Sequence, residues 1–189
     1  MPYKRLHIAL SLCITAAAIA MTSCENTRAE IEEVTSKKIG IETANDVNIL
    51  YSVGAKTKAR VTSPIMLRHI ESNPFLEFPN TLNAVFFNDS LQIESHLSAN
   101  YARYFESESR VFLRDSVVVF NTVGDTLFCQ ELYWDRRKTG HEFYTDKPVR
   151  IRTTTQIIDG DGLDAPQDFK SWHVINSRGI IRLPATDLP

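Results

Sequence analysis

LQIESHLSANY, Leu91 to Tyr101, sets Leu91, Ile93, Leu97, Ala99 and Tyr101 on odd positions and Gln92, Glu94, His96, Ser98 and Asn100 on even ones. Strand side chains alternate between faces, so this spacing predicts a ribbon with one apolar and one wet face. At strand rise, eleven residues span roughly 35 Å, enough to cross a small domain. A sheet built from such ribbons has one greasy side that must be covered.

The pattern returns downstream. Tyr101, Leu132 and Leu163 are 31 residues apart, and the same offset pairs Asp115 with Asp146, Val118 with Val149, Phe120 with Ile151 and Leu127 with Ile158. A period of this size is the mark of stacked supersecondary units that bury a continuous face only together; the competing reading is a coincidence among β-rich segments. Strands are expected at Val47–Val53, Lys56–Ser63, Leu82–Phe87, Arg110–Asn121, Thr126–Trp134, Glu142–Arg152, Gln156–Leu163, Trp172–Asn176 and Gly179–Leu183. Pro74 and Pro79 bracket Phe75-Leu76-Glu77-Phe78, which reads as an irregular aromatic connection. Beyond Thr43 no segment sustains a helical apolar spacing for three turns.

At the start of the chain, Lys4 and Arg5 precede an apolar stretch from Ile8 to Ala20 and then Met21-Thr22-Ser23-Cys24. A positive leader, a short apolar run and small residues before a cleavage point have the form of a secretory signal. The run falls short of the roughly 20 residues a transmembrane helix needs. Ser23-Cys24 resembles a bacterial lipobox, which implies that Cys24 is acylated and becomes the membrane anchor; an unmodified Cys24 behind an uncleaved anchor is the alternative. The domain reading is therefore 1–23 signal peptide, 24–45 lipidated N-terminus and tether, and 46–185 β-domain.

Removing Lys4 and Arg5 leaves 23 acidic against 19 basic side chains in the mature chain. That balance argues against a nucleic-acid partner, which calls for a basic field. Cys129 is then the one remaining unmodified thiol, so no disulfide framework forms. Chemistry is equally thinly supplied. His69, His96, His141 and His173 show no zinc-ligand spacing, and no serine sits in a G-x-S-x-G elbow. Asp159-Gly160-Asp161-Gly162 lacks the distal bidentate Glu of an EF-hand and reads as a turn between strands. Neither an enzyme nor a metal or other cofactor is expected. Lys56, Lys58 and Arg60 alternate along one strand as a solvated face or a phosphate site. Arg136-Arg137-Lys138 reads as a solvated hairpin turn, or as a basic loop placed to meet lipid phosphates at a groove mouth.

TSPIML at Thr62–Leu67, FLEFPNTLNAVFFNDSLQIESHLSANYARYF at Phe75–Phe105, RDSVVVFNTVGDTLFCQELYWDRRKTGHEFYTDKPVRI at Arg114–Ile151 and DGDGLDAPQDFKSWHVINSRGII at Asp159–Ile181 together closely resemble the LptC family. The resemblance covers about Ile49 to Ile181. That family is the periplasmic component of the lipopolysaccharide-export ABC transporter, here in a lipoprotein form. It implies an all-β, OstA/LptC-like β-jellyroll, a twisted open antiparallel sandwich, on the periplasmic face of the inner membrane. The implied cargo is lipopolysaccharide, accepted from LptF/LptG-like permease jellyrolls and passed to an LptA-like bridge protein, with the membrane reached through the lipid anchor. The better-known members are anchored by an uncleaved transmembrane helix, so any effect of that helix on the transporter's ATPase does not carry over.

On this reading Leu91, Ile93, Leu97, Ala99, Tyr101, Val111, Leu113, Val117, Val119 and Leu127 line either a lipopolysaccharide groove or a closed core. Ile49, Tyr51, Val53, Thr57, Ala59 and Val61 mark an N-terminal docking edge, and Trp172, Val174, Ile175, Ile180 and Ile181 a C-terminal one. The alternative function is a β-sandwich structural or interaction lipoprotein of the cell envelope with no lipid cargo.

Overall fold

A computed structural model describes residues 40–70 and 72–181, with Ile181 described by its backbone alone. The expected signal segment, Cys24 and the tether as far as residue 39 lie outside the described residues. The strands are β1 Ile41–Val53, β2 Lys56–His69, β3 Phe75–Phe78, β4 Leu82–Phe87, β5 Ile93–Ala99, β6 Tyr101–Phe105, β7 Arg110–Asn121, β8 Thr126–Asp135, β9 Phe143–Thr145, β10 Val149–Arg152, β11 Gln156–Gly160, β12 Gly162–Ala165, β13 His173–Ile175 and β14 Arg178–Ile181. β1 begins five residues inside the stretch assigned to the tether, because Ile41 to Asn45 pair with His69 to Ile65.

These strands form one 14-stranded antiparallel sheet. The chain crosses it as a meander: β1, β2, β3–β4, β5–β6, β7, β8, β9–β10, β11–β12, β13–β14, each crossing paired with the one before and the one after. A single apolar row runs across the whole sheet: Ile49 faces Val61, then Ala84, Leu97, Val119, Leu127, Ile151, Ile158 and finally Gly179. The row explains why the sheet cannot stay flat. One face is greasy along its full width, and it is buried only if the sheet folds onto itself.

The fold line is written in the backbone. Asp46, Thr81, Asp115, Ser116 and Asn176 take φ values of 51°, 64°, 64°, 57° and 51°; Asn100 separates β5 from β6, Asp146 to Pro148 separate β9 from β10, and Asp161 separates β11 from β12. Left-handed backbone breaks a strand and turns it. Placed side by side in neighbouring crossings, these breaks make a crease. Its polar groups are satisfied laterally: the Thr81 amide donates to Asn100 O at 2.8 Å, the Asn100 amide to Asp115 O at 2.9 Å, and Ser63 Oγ to Thr81 O at 2.8 Å. Across the crease the two halves face each other, with the Phe86 ring of β4 edge-on to Trp134 of β8 at 4.9 Å and to Phe143 of β9 at 5.6 Å. The result is an all-β, jellyroll-like sandwich. One layer holds β4, β5, β10, β11 and β14, the other β3, β6, β9, β12 and β13, and β1, β2, β7 and β8 run through both.

The 31-residue offset is the length of two crossings, and Asp115 and Asp146 both fall on the crease. Individual pairs drift by a residue, because the crease adds an irregularity between Arg114 and Val117. Val149 is thus lateral to Val117, through Cys129, and not to Val118; Ile151 is lateral to Val119, through Leu127, and not to Phe120. Leu127 and Ile158 do share the apolar row. The ribbon at Leu91–Tyr101 is corrected similarly. β5 starts at Ile93, Leu91 sits in the preceding turn at φ 60°, and the break at Asn100 flips the facing so that Ala102, not Tyr101, enters the core. Phe75–Phe78, expected as a connection, is strand β3, paired with β2 and β6.

Candidate functional site

The interior differs between the two ends of the sandwich. Near β1 the layers part around an apolar cavity of about 150 Å³ lined by Ile49, Leu50, Tyr51, Val61, Leu76, Phe78, Leu82, Tyr104, Val111, Trp134 and Arg136. Strand alternation aims these side chains inward: Ile49, Tyr51 and Val61 from one layer, Leu76, Phe78, Tyr104, Val111 and Trp134 from the other. At its mouth Tyr51 meets Trp134 edge-on at 6.4 Å. Arg136, the first residue after β8, lies over the rings of Tyr51 and Tyr104 at 4.4 and 4.9 Å and so ties one layer to the other. It donates from Nη2 to the Tyr104 hydroxyl and from Nε to Ser109 O at 3.4 Å.

Toward the far end the interior is filled. Leu97, Leu113, Val117, Val119, Leu127, Leu132, Phe143, Ile151 and Leu163 are 0–1% exposed, although Val117 also borders an open recess of about 470 Å³ at the crease, shared with Cys129 and Val149. The segment joining β12 to β13 straps the open rim. Phe169 is fully buried although its φ is 53°, a conformation a bulky residue adopts only when packing holds it. Ser95 Oγ of β5 donates to Gln167 O at 2.7 Å, Asn121 Nδ2 to Phe169 O at 2.9 Å, and Trp134 Nε1 of the opposite layer to Gln167 Oε1 at 3.2 Å. Lys170 reaches Glu94 at 2.7 Å.

Against this geometry the expected groove residues divide. Val111 lines the cavity. Leu97, Ala99, Leu113, Val117, Val119 and Leu127 form the closed core. Leu91 and Ile93, 61% and 44% exposed, are off the interior because β5 has not yet entered the sandwich. Tyr101 is on the outer face, where its hydroxyl donates to Glu77 Oε1 at 2.5 Å. Leu76, Phe78, Leu82, Tyr104 and Trp134 were not expected as lining. Two of them were hidden in the Pro-bracketed segment, whose alternation is only four residues long, and Tyr104 lies beyond the facing flip at Asn100.

Among the described residues the N-terminal edge is β1 alone. β2 pairs with β1 on one side and with β3 and β4 on the other, so Thr57, Ala59 and Val61 belong to an inner strand and Ala59 is fully buried. Ile49 and Tyr51 of β1 line the cavity, and Leu50 and Val53 are exposed. β1 carries neither Lys nor Pro, the usual protection of a free edge. At the other end β13 and β14 are the last strands among the described residues; Val174 and Trp172 pack on the core, while Ile175 and Ile180 are exposed. Ile181 pairs with Gln156 through its backbone.

The remaining charged motifs are occupied. Lys56 and Lys58 clamp Asp89 in the β4–β5 turn, and their hydrogen bonds pull its carboxyl down to about 2. Asp159 and Asp161 pair with Arg150 at 2.7 Å and Arg178 at 3.0 Å, and those hydrogen bonds hold both carboxyls below their usual range. Among the described residues no three His, Cys, Asp or Glu side chains gather closely enough to hold a metal ion. Arg137 faces Asp135 at 3.8 Å. Arg136 differs from all of these: among the described residues no carboxylate lies within 4.0 Å of it. Compared with known proteins, the chain matches no family profile and no curated protein.

Proposed function

We propose that this protein is a membrane-tethered jellyroll of lipopolysaccharide transport, which receives the lipid at the inner membrane from an export transporter and hands it to an LptA-like bridge protein. The observation that carries this reading is the apolar cavity opening beside β1, a strand that pairs only with β2 among the described residues. Acyl chains gain about 25 cal/mol per Å² on leaving water, and a bare edge strand is a template for adding a like strand. An acyl chain arriving along a docked jellyroll would thus meet the cavity directly at β1. Nothing in the cavity polarises or cleaves a bond, so movement would be driven from outside.

A second reading, an envelope interaction module without lipid cargo, draws on the filled interior and the strap at Phe169. Photo-crosslinking in cells separates the two. A photoreactive residue at Leu76 or Val111 yields lipopolysaccharide adducts if the cavity carries lipid, and one at the outward Phe120 does not. Adducts absent from both cavity positions, with envelope assembly intact on depletion of the protein, would favour the module.

A further inference from the structure

We infer that Arg136 is the anion-binding half of a two-part lipid site: its guanidinium takes a phosphate while the adjoining cavity takes the first carbons of the attached acyl chain. The inference rests on the proposed lipid-handling reading and adds to it the headgroup chemistry and the residue that reads it. A guanidinium has five N–H donors. Among the described residues Arg136 commits two, to Tyr104 and Ser109, leaving three without a protein acceptor. Tyr51 and Tyr104 hold it from both sides, so its fork is already oriented, which reduces what is lost on binding.

Charge complementarity selects the occupant. Of the neighbouring basic side chains, Arg137 pairs with Asp135 and Arg110 with Glu108. Lys138 of the same turn lies over the Tyr144 ring, and Arg136 is the one basic side chain in the cavity lining, against an almost wholly apolar wall where a charge-assisted hydrogen bond is stronger than in water. A cavity of about 150 Å³ is the size that holds one benzene-like group. It therefore suits the proximal part of a single chain and not several. An anion alone would leave the cavity empty, and a neutral amphiphile would leave the arginine unpaired; an acylated phosphate satisfies both.

The test is titration of the full mature chain with dodecyl phosphate and with dodecyl maltoside, each below its micellar concentration, read by fluorescence of Trp134 in the cavity wall. Dodecyl phosphate should bind roughly tenfold or more tightly, as expected for one charge-assisted contact, with a preference that shrinks as salt rises. Arg136→Gln should abolish that preference, bringing the affinities for the two amphiphiles together. Should Arg136→Gln fold poorly, Tyr104→Phe tests the same point from the other side, because removing the hydroxyl frees a donor and should keep or raise the preference for phosphate. Equal binding of the two amphiphiles by the unaltered protein, or a preference that survives Arg136→Gln, overturns the anion site while leaving the cavity's lipid reading standing. Binding of neither amphiphile overturns both.

Discussion

Phe169→Ala tests whether the strap between β12 and β13 is what holds the two layers together at the rim. The ring is fully buried, and truncating such a residue in a packed core costs about 3–5 kcal/mol. Part of that is local. Lifting the strap in the native protein exposes one Phe, about 2–3 kcal/mol, and breaks the bonds to Ser95, Asn121 and Trp134 at about 1 kcal/mol each. Relief of the left-handed backbone at Phe169 returns about 1–2 kcal/mol, so opening costs roughly 4 kcal/mol in total. Without the ring, opening becomes easier by about 2–3 kcal/mol, roughly 30- to 150-fold in population. Hydrogen exchange followed by mass spectrometry should show residues 166–172 exchanging faster by that factor, and urea unfolding should show the global loss. A variant that loses under about 1 kcal/mol and keeps the exchange of this segment unchanged would refute the strap.

Ser116→Gly should stabilise the protein by about 0.5–1 kcal/mol in urea, since its φ of 57° suits glycine, and Ser116→Val should destabilise it; the opposite order would mean the crease is not set there. Gly179→Ala should lower the melting temperature, because its Cβ would come 2.5 Å from Ile157 O and push β14 from β11. Burial works to raise the Glu77 carboxyl, but hydrogen bonds from Tyr101, His69 and Arg103 outweigh it and hold the group below its ordinary 4.5. Its contribution is therefore complete above that value and lost as pH falls through the lower folded one, so Glu77→Gln should flatten the acid limb of stability against pH. Burial pushes the Cys129 thiol up to about 12; Cys129 should resist alkylation at pH 8 in the folded protein and react once unfolded, as read by peptide mapping, and stability should decline between about pH 9 and 12, where only the unfolded Cys129 thiol ionises.

The sheet was legible because its strands alternate, and Arg110–Asn121 and Thr126–Asp135 fall where alternation puts them. The crease was not. A left-handed residue such as Asp115 or Ser116 leaves no imprint on polarity; Asp and Asn, which favour that conformation, recur along the crease at Asp46, Asp115 and Asn176, but they are as common in ordinary turns and do not mark it by themselves. The misplacements downstream trace to that: Tyr101 is on the wrong side of Asn100, and Val118 and Phe120 are shifted by the irregularity after Arg114, whereas Leu91 and Ile93 fall outside because β5 enters the sandwich only after them. The cavity was hidden for another reason. Its wall is drawn from β1, β2, β3, β4, β6, β7 and β8, so it follows from how far the layers separate near β1, and no local pattern encodes that distance. Arg136 stood out as part of a basic turn, but its partners Tyr51 and Tyr104 lie 85 and 32 residues away and meet only after folding.

The uneven interior restricts how such a sandwich could take a lipid. A twelve-carbon chain gains roughly 10 kcal/mol on leaving water at about 0.8 kcal/mol per methylene, but a cavity of about 150 Å³ shelters only the first few carbons, roughly a third of that. The remainder is gained only if the chain advances between Leu97, Leu113 and Val119, replacing contacts among side chains by contacts with the acyl chain. That exchange is not neutral, because the interior is close-packed and admitting extra methylenes displaces side chains at about 1–3 kcal/mol. The strap adds roughly 4 kcal/mol to what opposes the advance. A chain anchored at the mouth could offset this from its unsheltered two thirds, whereas a shorter one could not, so the same closure that keeps the empty interior dry also sets the length of chain able to open it.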